Sequence, residues 1–381
     1  MIISTFKSSY STVLFFDTLR LFLIAPVLLL IIISLFKINI SNQLFYQISL
    51  LIFLVVYGIL LNFLNVTDYN LHINKEQIIF ILFSFIFTYF LLKIINDKEL
   101  NNYNHIIFYL FLILSLIFFS LKGYDFDNYS YNFELEKIYN NKVSTISYSH
   151  GLTKIFFLAS FTSLYLLKEK NVKKNFIAIF WYLAAFIFFL FIALQSGARG
   201  ETFFGIIILL CMLLGNIKKN FITLLVLFFF LIVVSSYINY ENLLVFRRFE
   251  SLLYGDFGLR VELINLSLNL LYNEPKCLIF GCGLSYFQDY YHFNFGLYPH
   301  NIILEFIITY GLPVGIVILS LIFIGLKNII FSKSKILLID IFVIYFFLIS
   351  LKSGTLISLT AFPMIFYLIA KSKTYYNFKT N

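Results

Sequence analysis

The stretch LLVLFFFLIVV (224–234) is apolar on every side, and runs of this kind recur from residue 19 to residue 370. Backbone that crosses lipid must satisfy its own hydrogen bonds, which favours helices of about 20 apolar residues. A transmembrane barrel would instead alternate polar and apolar residues with period two, and these runs do not. We expect spans at 19–37, 44–64, 78–95, 106–121, 151–167, 176–195, 201–215, 221–238, 302–325, 336–350 and 356–370. The first run is read as a span and not a cleavable signal, because no small-residue cleavage site follows it. Composition agrees: 61% of the 381 residues are hydrophobic, only 12% are charged, and the mean hydropathy is +0.90. The expectation is an all-α fold, a polytopic membrane helix bundle of about 11 spans (ten to twelve), forming one membrane domain over residues 1–381.

Lysine placement orients the bundle, because short cytoplasmic loops collect Lys and Arg. The loop KEKNVKK (168–174), Lys218 and Lys219, then Lys327, Lys333 and Lys335, and finally Lys371, Lys373 and Lys379 fall on one side if the spans alternate. Counting back from there puts the amino terminus outside, at odds with Lys7 and Arg20, which is why the span count keeps its range. Two longer polar segments, 122–150 and 239–301, then face outward, and the second is expected to form a partly helical lid. The net charge of +9 belongs largely to the inside lysines. It is read as setting topology, not as a nucleic-acid surface.

Arginine is distributed differently. Of 28 basic residues only five are arginines, and Arg20, Arg199, Arg247, Arg248 and Arg260 all fall on the outer side, where the positive-inside rule gives no reason for them. For Arg20 the bland alternative is contact with lipid headgroups. Guanidinium groups bind phosphate bidentately and stay charged at any working pH, so an anion on that side is the other reading. In QSGARGETFFG (195–205), Gly197 and Gly200 allow a tight reversal that holds Arg199 at the membrane surface, with Glu201 near enough to neutralise it. In LRVELINLSLNLLYNEP, Leu259, Leu263, Leu266 and Leu270 recur at helical spacing. An amphipathic helix ending at 273–275 is expected there. FGCGLSYF (280–287) reads as a turn, since a lone Gly-x-Gly without a strand before it is a weak phosphate signal. In LYPHNIILEFIITYGLPVG (297–315), Pro299 favours an extended chain before a fresh helix, and His300, Asn301 and Glu305 stand at its entrance. His300 is either a capping or interfacial residue, or a proton acceptor that Glu305 orients.

The five histidines (72, 105, 150, 292 and 300) show no metal-binding spacing, and Asp125 and Asp127 in YDFDNY sit among aromatics that suit sugar stacking or the interface. No metal and no cofactor is expected. Cys277 and Cys282 share the outer segment, and a bridge between them is left open.

Three pieces, in order, resemble the O-antigen polymerase and ligase group of bacterial membrane glycosyltransferases. SGARGETFFGIIILL resembles its Ser-Arg-Gly turn, here with Ala198 where Ser is usual. GLRVELINLSLNLLYNEPKCLIFGCGLSYF resembles its Arg-bearing helix with a following Pro and Gly-x-Gly turn, and PHNIILEFIITYGLPVGI its His-Asn helix. The resemblance covers residues 195–325; outside them only hydropathy agrees. It implies a metal-independent glycosyltransferase in the inner membrane, acting at the periplasmic face on polyprenyl-diphosphate-linked oligosaccharides as donor and acceptor. By that resemblance Arg199 and Arg260 hold the donor diphosphate and His300 is the candidate base. Arg247, Arg248, Asn301 and Glu305 are further candidates for contact with diphosphate or glycan. Membrane lipids, a chain-length regulator and a flippase are the partners it implies. A ligase using lipid A-core as acceptor shares the motifs. A lipid-linked oligosaccharide flippase is the reading from a different class, and the few charges at mid-span, such as Asp340, argue against it.

Overall fold

The computed structural model describes residues 49–61 (except 51 and 59), 104–121, 124–125, 130–131, 135–139, 142–146, 150–168, 175–214, 249–250, 254, 259–293, 297–331, 336–356, 358 and 360–377. The expected spans 19–37, 78–95 and 221–238, together with Arg20, Arg247 and Arg248, lie outside the described residues. What is described is helical apart from two short β-hairpins. Its elements fall into two compact units, one holding residues 104–214 and the other residues 49–61 with 260–377.

In the first unit, helix α1 (Asn104–Leu121) is followed by strands β1 (Tyr124–Asp125), β2 (Ser130–Tyr131), β3 (Leu135–Tyr139) and β4 (Lys142–Ile146), and then by α2 (His150–Leu166), α3 (Phe176–Gln195) and α4 (Arg199–Leu214). The strands pair antiparallel, β1 with β2 and β3 with β4, and Tyr139 faces Lys142 across a two-residue connection. These strands lie within the polar segment 122–150, where the all-α expectation had no place for them.

Helix α2 is the centre of this unit. It packs against α1, α3 and α4, and residues 151–167 are buried on every side apart from half-buried Lys154. A helix with no solvent face must satisfy its polar side chains internally. The hydroxyls of Ser160, Thr162 and Ser163 accordingly donate to the carbonyls of Phe156, Leu158 and Ala159 one turn back. Helix α3 opens on the Asn175 side chain, which accepts from the Ile177 and Ala178 amides. One face of α3 is buried through Tyr182, Phe186, Phe189 and Ala193, while Phe176, Ile177, Phe180 and Trp181 are exposed. An apolar face left outward on so apolar a helix suits lipid, not water.

The second unit contains a helical stretch within 49–61, then α5 (Arg260–Asn273), α6 (Pro275–Ile279), α7 (Tyr286–Tyr290), α8 (Ile302–Phe331), α9 (Leu338–Ser353) and α10 (Ala361–Asn377). The expected amphipathic helix is α5. It buries Leu263, Ser267, Leu270 and Leu271, and leaves Glu262, Asn265 and Asn269 outward. Beneath it Cys277, Cys282, Tyr286, Phe287 and Ile308 complete a small core, and the Tyr291 hydroxyl donates to the Leu266 carbonyl at 2.8 Å. Cys277 and Cys282 form a disulfide, which settles the pairing that the sequence left open.

Helix α8 is broken at Gly311, whose φ of 79° and ψ of 162° are not helical, and Pro313 follows. Pro313 has no amide hydrogen, so the Thr309 carbonyl four residues earlier loses its helical donor. The Gly-Cys-Gly turn supplies replacements: Cys282 N–H donates to Ile308 O at 2.7 Å, and Gly283 N–H donates to Thr309 O at 3.1 Å. Backbone approaches backbone here because two glycines meet. A Cβ on Gly281 would lie 2.6 Å from the Tyr310 carbonyl carbon, and one on Gly311 would lie 2.7 Å from that of Phe280. Both residues have positive φ. The turn is therefore a plug for a helix break. The uninterrupted span expected over 302–325 is two helical pieces, and the second, about 20 residues long, alone reaches about 30 Å.

Among the described residues two helices, Phe176–Gln195 and Ile302–Phe331, are long and apolar enough to cross a membrane, with mean hydropathies of 2.7 and 2.5 in their most apolar windows. Of the other described helices, α1, α2, α4 and α9 lie within about three residues of the expected limits, whereas α10 occupies 361–377 where 356–370 was expected, and the short helices α6 and α7 correspond to no expected span.

Candidate functional site

Arg199 is the first residue of α4, immediately after a turn in which Gly197 has φ of 76°. Ala198 is fully buried there, and its carbonyl accepts the Thr202 amide at 3.0 Å as the helix starts. Arg199 itself is only 6% exposed, and Glu201 is not exposed at all. Burial of that kind is costly for charges unless they are engaged. Glu201 Oε1 lies 2.9 Å from His150 Nδ1 and 4.0 Å from Lys154 Nζ. His150 opens α2, so the first turns of α2 and α4 lie side by side. The Thr153 and Ser196 hydroxyls, 2.6 Å apart, join the end of α3 to the same place. At the other end Lys168 donates to the Met212 carbonyl in the last turn of α4. Helices α2 and α4 thus run parallel, with the His150–Glu201 pair at one end and Lys168 at the other.

In the second unit Arg260 is the first residue of α5, whose N-terminus has no side-chain cap. A cation at the positive end of a helix is unfavourable by the helix dipole. Arg260 makes no ion pair among the described residues. His300 has φ of 54°, a left-handed conformation uncommon for any residue but glycine. Its ring lies 4.0 Å from that of Tyr298, centroid to centroid. Asn301 caps α8, its Oδ1 accepting from the Ile303 and Leu304 amides at 2.9 and 3.2 Å. Glu305 is buried and accepts from the Thr355 hydroxyl at 2.8 Å and the Leu356 amide at 2.9 Å. That ties α8 to the loop after α9. Both residues thus have structural partners that the sequence reading had not given them.

One further acid lies in this outer segment. Asp289, in α7, is pushed up to about 6, chiefly because burial penalises its charge, with His292 acting in the opposite direction.

His150 is the partner of Glu201 that sequence reasoning passed over, because the histidines were scanned for metal spacing. The available signal was His150 and Lys154 at i and i+4 at the start of a buried helix. Glu201 occupies the same place in another.

No family model, curated protein or solved structure matches this chain.

Proposed function

We propose that this protein is a membrane glycosyltransferase that joins polyprenyl-diphosphate-linked glycans at the periplasmic face of the bacterial inner membrane. In this reading it acts as the polymerase of an O-antigen-like surface polysaccharide of lipopolysaccharide. One observation carries the reading: the key residue of each of the three motifs stands where a helix begins. Arg199 opens α4, Arg260 opens α5, and His300 directly precedes the cap of α8. Helix N-termini present unpaired amides and a positive dipole end, and with a guanidinium beside them they suit a phosphate. The Cys277–Cys282 bridge supports an oxidising compartment for the outer segment.

The chemistry assigned to these residues is electrostatic. As the bond from the anomeric carbon to the diphosphate breaks, negative charge grows on the departing oxygen. Arg199 and Arg260 are the groups assigned to stabilise it, since a positioned cation does so better than water. Arg247 and Arg248 are assigned further phosphate contacts, and His300 engages the acceptor sugar. A chain-length regulator and a flippase are the partners this reading implies.

Deletion of the gene with analysis of surface polysaccharide tests the assignment. A polymerase mutant leaves a single repeat attached to core. Unattached lipid-linked polymer would instead identify the ligase, and loss of all outer product a flippase.

A further inference from the structure

The Cys277–Cys282 bridge spans a sequence separation of only 5, so it needs no distant part of the fold in order to close. Yet in the folded protein neither cysteine has any exposed surface. Leu263 and Leu270 of α5, Tyr286 and Phe287 of α7 and Ile308 of α8 pack around the pair. The turn that carries the bridge is also fastened from two sides. Cys282 N–H and Gly283 N–H donate to the Ile308 and Thr309 carbonyls at the break in α8. From the helical stretch within 49–61, the Gly58 carbonyl accepts the Leu284 amide at 3.3 Å, and the Tyr57 hydroxyl donates to the Phe280 carbonyl at 2.8 Å. Thiol–disulfide exchange proceeds only when a thiolate reaches a disulfide sulfur. Sulfurs enclosed in this core, behind backbone that cannot yield without breaking those bonds, are out of reach of a second protein.

We propose that Cys277 and Cys282 are bridged before the Gly-Cys-Gly turn docks into the break of α8, by a partner protein that presents a reactive disulfide on the outer face of the membrane. The thiolate of one cysteine attacks the partner's disulfide, and the partner's second sulfur leaves as a thiolate. The other cysteine then attacks the mixed disulfide and releases the partner as a dithiol. Two electrons and two protons have then passed from this chain to the partner. Docking follows and seals the bridge from oxidant and reductant alike. The order gives the bridge a use, because a turn already closed has fewer conformations to lose when its amides meet α8. It is independent of the reaction that the protein catalyses.

The test follows the full-length chain in membranes by pulse-chase. Samples are quenched with acid, denatured and treated with polyethylene-glycol maleimide. The chain has three cysteines and Cys211 is free, so a bridged chain takes one adduct and a reduced chain three. Early in the chase the bridge should be present and should open when dithiothreitol is applied to native membranes; later it should open only after SDS. In Gly281→Ala, where the turn is forced away from α8, dithiothreitol should reduce the mature bridge roughly 30-fold faster or more, because reduction tracks the population of the open form. Gly315→Ala should keep the wild-type rate. In a strain lacking its outer-face dithiol oxidants the chain should keep three adducts, and cystine added at the start of the chase should restore one. Three results would overturn the order: a bridge that resists native dithiothreitol from its first appearance, a mature wild-type bridge that opens in native membranes as fast as in SDS, or thiols that stop reacting with maleimide in native membranes before the bridge appears. Bridging at the wild-type rate in the strain without oxidants would overturn the partner. None of these results bears on the transferase reading, which the polysaccharide analysis decides.

Discussion

Replacing Gly281 by alanine perturbs the turn that meets the break in α8 through backbone hydrogen bonds. The cost can be built from the structure. Gly281 has φ of 85°, and a side chain in the left-handed region costs about 1–2 kcal/mol. The new Cβ would lie 2.7 Å from the Gly311 nitrogen, so the turn must withdraw. Withdrawal breaks the bonds from Cys282 N–H and Gly283 N–H to the carbonyls of Ile308 and Thr309, each worth about 0.5–1.5 kcal/mol. The sum is about 2–5 kcal/mol. Gly311→Ala should cost a similar amount from the other side. Because both variants break the same two bonds, the double variant should cost less than the sum of the singles. Gly315 is the control, since a Cβ there would meet only Ile307 Cγ1, at 3.7 Å. Gly315→Ala should be neutral or slightly stabilising. The assay is thermal unfolding of detergent-solubilised protein, followed by the fraction that stays monodisperse on size exclusion. A Gly281→Ala variant as heat-stable as Gly315→Ala would refute the plug.

The pH dependence of the outer segment has a definite sign. The folded state holds Asp289 protonated up to about pH 6, above the ordinary carboxylate range. Its contribution is therefore fully present below that range and is lost as pH rises through about 6. Asp289→Asn should flatten thermal melting between pH 4 and 8 and raise the midpoint at pH 8; an unchanged profile would show that Asp289 is not held neutral. Reducing the Cys277–Cys282 bridge, which closes a sequence separation of 5, should cost about 2 kcal/mol by loop entropy. Comparing melts with and without dithiothreitol checks this. Arg199→Ala or Arg260→Ala should lower glycan transfer roughly 10²–10³-fold while the protein still inserts, as read by polysaccharide ladders beside an immunoblot of the membrane fraction.

Much of the helical framework was legible because hydropathy and turn residues act locally. The span at 176–195 matches α3 at both ends, and Leu263, Leu266 and Leu270 mark the inner face of α5. The break in α8 was signalled by Gly311 and Pro313, yet hydropathy is blind to it because every residue around it is apolar. Only the tertiary fit of the Gly-Cys-Gly turn explains how the freed carbonyls are satisfied. The hairpins at 124–146 were missed because each strand is two to five residues long, too short for alternation to register. In the candidate site, the types and order of Arg199, Arg260 and His300 could be read from motifs. Asn301's capping role and Glu305's engagement with Thr355 could not, because hydrogen-bond partners 50 residues away leave no mark on local sequence. The His150–Glu201 pair, 51 residues apart, escaped for the same reason.

The most direct test of the central claim is to reconstitute the purified protein in proteoliposomes with its lipid-linked repeat unit and to count products by mass spectrometry. The account predicts one polyprenyl diphosphate released for each new glycosidic bond, and neither product from Arg199→Ala. Repeat units that cross the bilayer with their glycans unchanged would contradict it.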